Sequence, residues 1–228
     1  MQRREGMQKL ALAALVATSL LVIFAGAVWG MRLLANAHNQ TQTHSTNPSD
    51  YALGGFPMPG NLAPDFTLSD QFGHSFTLSS LRGQEVVLAF IDSRCKTLCP
   101  LTSTIMYNAK AQLATSVAQK VQLIAVNANP TATSIATVQA WSIDHGMLHQ
   151  WKFLTGSAQQ LQSIYKQYNV FVKVDSNGVL EHDPIIFIID AQGHERLYYE
   201  TLDSNNQLDL KSQELGLEYG MKQWLPKS

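Results

Sequence analysis

The chain is expected to fold as a three-layer α/β domain with a mixed central sheet, preceded by one N-terminal transmembrane helix. Three observations carry that expectation. Apolar, strand-like runs alternate with helical stretches from about residue 61 onward. The strongest strand is followed by a turn and a hairpin partner, which sets antiparallel pairing beside parallel pairing. An uncharged stretch of about 22 residues, Leu10 to Met31, lies near the N-terminus.

Length and composition agree with this. A chain of 228 residues allows one ordinary domain plus an appendage. Charged residues are only 14%, with 16 Lys and Arg against 17 Asp and Glu, a net charge of -1. That balance excludes a strongly basic nucleic-acid binder and an acidic disordered tail. The two cysteines, Cys95 and Cys99, are too few for a disulfide scaffold or a four-cysteine zinc site.

Residues 1–9 form a basic flank with Arg3, Arg4 and Lys9. Residues 10–31 follow as the anchor: at 1.5 Å per residue, a helix of this length spans roughly 33 Å, a bilayer core. It is longer than the apolar region of a cleaved signal, and Ala35-Asn36-Ala37, which resembles a cleavage site, lies beyond Arg32. Only Arg32 closely follows the span, so the positive-inside rule places the N-terminus in the cytoplasm and the rest of the chain outside. Disulfides can persist there. Residues 32–60 read as a polar, then Gly- and Pro-rich tether, with His38 and His44 as incidental solvated side chains.

Residues 61–228 are the folded domain. Phe66 to Leu68 and Ser75 to Leu78 are short extended pieces around the turn Asp70 to Gly73. Val86 to Ile91 is a continuous apolar run rich in β-formers, as a strand buried on both faces requires. A helix runs from Cys99 to about Val117, with Pro100 at its first position and Ile105, Ala109 and Leu113 on one face. Val121 to Val126 is a second buried strand, Ser134 to His145 a helix, Trp151 to Leu154 a strand, and Ala158 to Tyr168 a helix. Ile185 to Ile189 is the strongest strand, followed by the turn Asp190 to Gly193 and the hairpin partner Arg196 to Tyr199. Leu208 to Leu225 closes the chain as a helix.

The chemistry gathers at Cys95-Lys96-Thr97-Leu98-Cys99-Pro100, between the first buried strand and its helix. Strand C-termini in such sheets are where sites form. Unpaired N–H groups at the helix start, together with Arg94 and Lys96, favour thiolate, which attacks disulfides and binds soft metals. A structural disulfide closing so short a loop adds little stability. Two thiolates alone leave a metal site incomplete. His74 and His194 read as solvated turn residues, and His145 and His149 as charges at a helix C-terminus. His182 precedes the strongest strand, in Glu181-His182-Asp183-Pro184.

Ala63-Pro64-Asp65-Phe66-Thr67-Leu68, then Leu81-Arg82-Gly83, a buried strand and a cysteine motif resemble the redoxin branch of the thioredoxin-like fold. Cys95-x-x-x-Cys99-Pro100, with His182 five residues before Phe187 of Phe-Ile-Ile-Asp, resembles the Sco/SenC family over residues 60–200. The resemblance implies a thioredoxin-like fold that brings His182 to Cys95 and Cys99. It implies copper, as Cu(I) or Cu(II), held by two thiolates and one imidazole. It also implies a role in cytochrome c oxidase assembly, with the apo-copper site of an oxidase subunit as partner. The alternative is a thiol–disulfide oxidoreductase acting on another extracytoplasmic thiol protein, Cys95 attacking and Cys99 resolving. There Pro184 occupies the place of the cis-proline of thioredoxin-like reductases, and the Asp183-Pro184 backbone would dock an extended substrate. A peroxidase is not favoured, because the stretch before Cys95 lacks a Pro-x-x-x-Thr-x-x-Cys approach. The family's carboxylates after the second strand are absent from Val126-Asn127-Ala128-Asn129-Pro130, which bears on recognition of the usual partner.

Overall fold

The computed structural model describes residues 55–176, 180–203 and 209–225. The basic flank, the Leu10–Met31 run, His38, His44 and the tether to residue 54 lie outside them. Among the described residues no helix is long and apolar enough to cross a membrane.

The elements are β1 (Phe56–Pro57), β2 (Thr67–Ser69), β3 (Ser75–Thr77), a 3-10 turn (Leu78–Leu81), β4 (Glu85–Ile91), α1 (Leu98–Ala111), α2 (Thr115–Ala118), β5 (Val121–Asn127) and α3 (Ile135–Asp144). There follow β6 (Lys152–Leu154), α4 (Ala158–Gln167), β7 (Val172–Val174), β8 (Leu180–His182), β9 (Ile185–Ile189), β10 (Glu195–Glu200) and α5 (Leu210–Trp224). Six strands form the central sheet in the order β1-β10-β9-β4-β5-β6. β4, β5 and β6 run parallel, while β9, β10 and β1 join antiparallel, so the sheet is mixed as expected.

The continuous apolar runs follow from burial on both faces. Along β4, Val87, Ala89 and Ile91 face α1, α3 and α5, where Ile105, Met106, Val138, Trp141 and Leu217 pack. Val86, Leu88 and Phe90 face the other way, onto Leu161, Ile164 and Tyr165 of α4 and onto Leu68 and Phe76 of the β2–β3 hairpin. Each such buried side chain contributes about 1.5–3 kcal/mol relative to exposure. The helix starts obey local capping rules. Ser134 accepts from Thr137 N, Ser157 forms a capping box with Gln160, and Asp209 accepts from Ser212 N.

Four features differ from the sequence expectation. α1 starts at Leu98, so Pro100 is its third residue rather than its first. Pro is tolerated there because first-turn N–H groups have no intrahelical partner. The helix ends at Ala111, and Ala114 adopts an extended backbone (φ -57°, ψ 143°) before α2 begins. That turn keeps Leu113 in the core. The fold also takes in residues left to the tether. Phe56 pairs with Tyr198 and stacks on its ring at 4.8 Å, and Met58 N donates to Arg196 O at 2.9 Å. Gly55 enters at φ +72°, with the Tyr199 ring where a Cβ would sit. Finally, β7 and β8 form a hairpin, with Val172 opposite His182, that sequence reasoning missed.

Candidate metal and thiol centre

β4 delivers the chain to the site. Asp92, one residue past the strand, accepts from Arg94 N (2.8 Å) and from Asn129 Nδ2 (2.7 Å), while its carbonyl accepts from Cys95 N (3.1 Å). This Asx turn sets the cysteine loop against the end of β5. Asn127 and Asn129 are buried and bonded inward, Asn127 Nδ2 reaching Ala132 O at 2.8 Å. Residues 126–129, which carry no carboxylate, are therefore interior scaffolding in this chain.

Cys95 is half-buried and Cys99 buried, and both are free thiols. Cys95 Sγ lies 3.5 Å from Cys99 N, which donates to it, and 3.6 Å from Thr97 Oγ1. The Cys99 thiol beside it is the strongest influence lowering the Cys95 thiol. Desolvation opposes this, while the Cys99 and Thr97 N–H groups and the Thr97 hydroxyl assist it. The net result is about 5. Cys99 is pushed well above the ordinary thiol range, first by its pairing with Cys95, then by burial and by the Cys95 charge. The arrangement pairs a half-buried thiol lowered toward thiolate with a buried thiol held in reserve.

His182, at the end of β8, reaches this pair from 83 positions along the chain, its Nε2 at 3.5 Å from Cys99 Sγ. Nδ1 lies 3.0 Å from Asp183 O. That carbonyl can only accept, so Nδ1 donates to it and Nε2 is the nitrogen turned toward the sulfur. A further relay, absent from the sequence reading, ties the two halves together. Thr102 of α1 donates to Thr201 Oγ1 (2.8 Å), and Thr201 N donates to Pro184 O (2.8 Å). Nothing in the pattern of a lone threonine on a helix announces such a bond.

The donor set can be tested against metal geometry. Metal–sulfur and metal–nitrogen bonds of about 2.3 and 2.05 Å at a tetrahedral angle separate the donors by about 3.6 Å. The Cys99–His182 pair matches that bite. Among the described residues, no group of three His, Cys, Asp or Glu side chains is already close enough together to hold a metal ion. The three side chains must therefore draw closer together to complete a three-donor site.

Asp183 and Pro184 look different from the docking reading. No described peptide bond is cis. Asp183 N donates to Phe171 O, Asp183 O accepts from Ile185 N, and Pro184 O accepts from Thr201 N. The Asp183 carboxylate also accepts from Phe171 N at 2.9 Å. These backbone groups are occupied within the chain, so an extended substrate finds no open pairing edge there.

The other histidines stand apart from this centre. His145 caps α3, with Nδ1 at 2.8 Å from Trp141 O, and stacks on the Trp141 ring at 3.8 Å. His149 stacks on Phe72, and His74 is exposed near Asp70. His194 is less solvated than expected, lying 3.4 Å from the buried Asp190. Trp141 Nε1 donates to Cys95 O at 3.4 Å, a contact the sequence does not announce. Beside Cys95 a groove of about 470 Å³ opens between the cysteine loop and α3.

The family model described as SCO1/SenC matches residues 57–215, more than half of the chain, and the chain belongs to that family. It is 26% identical over 151 residues to the mitochondrial SCO2 homolog of Bos taurus, covering 63% of this chain and 56% of that protein. It is 23% identical over 184 residues to mitochondrial SCO2 of Saccharomyces cerevisiae, covering 78% and 58%. The matches thus span somewhat over half the length of these relatives. The crystal structure of Arabidopsis thaliana ScoI with copper bound superposes with a TM-score of 0.60 at 18% identity, covering 72% of this chain and all of that one. At that identity the likeness is one of fold, and it is the thioredoxin-like fold expected.

Proposed function

We propose that this SCO1/SenC chain binds copper through Cys95, Cys99 and His182 and delivers it to the apo-copper site of an oxidase subunit during cytochrome c oxidase assembly. The observation that carries the proposal is the 3.5 Å approach of His182 Nε2 to Cys99 Sγ, with the imidazole tautomer fixed by Asp183 O. Two thiolates and one imidazole suit Cu(I) and also hold Cu(II). Copper is the cargo here, and a half-exposed Cys95 gives an acceptor's thiols a place to enter. In the same reading, Leu10–Met31 anchors the domain outside the cytoplasmic membrane, with the 32–54 segment as a spacer. A reporter fused after Ser228 should then be active only outside the cytoplasm, and activity inside contradicts the anchoring.

The test of the copper reading is retention. The full chain, reduced without oxygen and dialysed against a competing chelator, should keep one copper. Cys95→Ser and Cys99→Ser should keep none. Equal retention by the wild type and the serine variants sinks the proposal. A second reading, thiol–disulfide exchange, is favoured by the asymmetry of the thiols: Cys95 is lowered to about 5 and half-exposed, while Cys99 is buried. It predicts turnover of model disulfides that does not depend on His182.

A further inference from the structure

We infer that the groove between the Cys95 loop and α3 is the docking track for an extended, cysteine-bearing segment of the acceptor polypeptide, with acidic residues beside its cysteine. The inference rests on the thiol chemistry proposed above and adds the partner that this chemistry addresses.

Three observations lead to it. First, a partner sulfur must arrive where Cys95 is exposed, since Cys99 is 1% exposed and its accessible side is taken by Cys95 and His182. Second, the Asp183-Pro184 side offers no free backbone, as its N–H and carbonyl groups are paired within the chain. The open volume lies on the opposite wall, where α3 turns Ala136 and Ala140 outward, one helical turn apart. Side chains that short leave a trough for a main chain rather than a ridge. Its inner end is set in advance, because Trp141 is held to Cys95 O and stacked under His145.

Third, two exposed bases flank the thiol. Arg94 and Lys96 flank Cys95, both exposed, and neither has an ion pair among the described residues. The single carboxylate of the lining, Asp144, is the last residue of α3, next to His145, and forms an ion pair with neither base among the described residues. Two bases beside the reacting sulfur attract acidic side chains beside the incoming one.

The test uses the purified, reduced full chain and two synthetic peptides. Each carries one cysteine joined in a mixed disulfide to thionitrobenzoate, flanked by glutamates in one peptide and by lysines in the other. The Cys95 thiolate attacks the peptide sulfur and thionitrobenzoate leaves as its anion. Cys99, giving its proton to solvent, then displaces the peptide thiolate and closes the Cys95–Cys99 disulfide. Two electrons pass from the two cysteines to the peptide disulfide. Rates are divided by those with dithiodipyridine, a small neutral reagent that needs no groove, so changes in thiolate content cancel.

The acidic peptide should react about tenfold faster than the basic one, and the ratio should shrink at high salt. Charge reversal at Arg94→Glu with Lys96→Glu should invert it, while Lys166→Glu on α4, on the sheet's other face, should not. Ala140→Phe, at an exposed helix position, should slow both peptides about tenfold relative to dithiodipyridine, as expected when an entry track is filled. Equal normalised rates for the two peptides, a preference for the basic one, or indifference to Ala140→Phe overturns the inference. If the chain still binds copper and reacts rapidly with dithiodipyridine in that case, the proposed function stands and only the docking track falls. Loss of both sinks the proposed function and the inference with it.

Discussion

The lowered Cys95 thiol makes a prediction that can be worked through. At pH 6, a thiol titrating at about 5 is about nine-tenths ionised, whereas an ordinary thiol near 8.5 is about 0.3% ionised, a ratio of about 300. Lower basicity reduces intrinsic nucleophilicity. With a Brønsted slope of 0.4–0.5 over about 3.5 pH units, the loss is about 25- to 55-fold. Cys95 in the metal-free chain should therefore alkylate roughly five- to tenfold faster than an ordinary exposed thiol at pH 6, and more slowly than one above about pH 7. Its rate should be flat from about pH 6 upward and fall to half near pH 5. The perturbation is Cys99→Ala. It removes the strongest of the lowering contacts but leaves the backbone N–H groups of residues 97 and 99 in place. The half-point should move upward, though not fully to 8.5. Iodoacetamide labelling across pH, read by mass of the Cys95 peptide, measures this directly. A wild-type half-point near 8.5, or an unchanged one in Cys99→Ala, refutes the reasoning.

Two other predictions concern stability. Glu85 is fully buried, with neither carboxylate oxygen hydrogen-bonded among the described residues, and burial followed by the nearby Asp190 charge raises it from 4.5 to about 9. The native state keeps a proton that the unfolded state has released, so the contribution of Glu85 to stability is fully present below pH 4.5 and is lost as pH rises toward 9, by about 3 kcal/mol at pH 7. Urea midpoints across pH should show that decline shrink in Glu85→Gln, and an identical slope in both proteins contradicts it. Asn129→Asp should replace the 2.7 Å donor to Asp92 with a second acceptor and cost about 1.5–3 kcal/mol at pH 7. The loss should be relieved in acid, as one carboxyl takes a proton. A pH-independent loss goes against that account.

The legible parts of the fold are those where one physical demand dominates. β4, β5 and β9 are buried on both faces, which runs of Val, Ile, Leu, Ala and Phe through their centres satisfy. β7 and β8 escaped notice because each is only three residues long and none of their residues is fully buried, so the alternation around Lys173 and Glu181 is too short to stand out. The dipeptide Asn177-Gly178 was the available hairpin signal. β1 is two residues long and contains Pro57, and only pairing with β10 makes it a strand. At the site, the cysteines were readable from their position between a strand and a helix. His182 was readable only through the family resemblance, since its meeting with Cys99 is a long-range event set by β9 and the Thr102–Thr201–Pro184 relay. The burial of Asn127 and Asn129 has no sequence signal, because sequence does not distinguish a solvated amide from one bonded inward.

The central claim is that His182 completes a three-donor copper site, and paramagnetic resonance of the Cu(II)-loaded full chain tests it most directly. The wild type should show hyperfine coupling to the nitrogen of one imidazole. In His182→Ala that coupling should vanish. Cu(II) affinity should fall by more than the about 10–100-fold typical of losing an outer-shell partner. Cu(I), content with two thiolates, should be lost less. A His182→Ala chain with the same nitrogen coupling and unchanged affinity in both oxidation states contradicts the account.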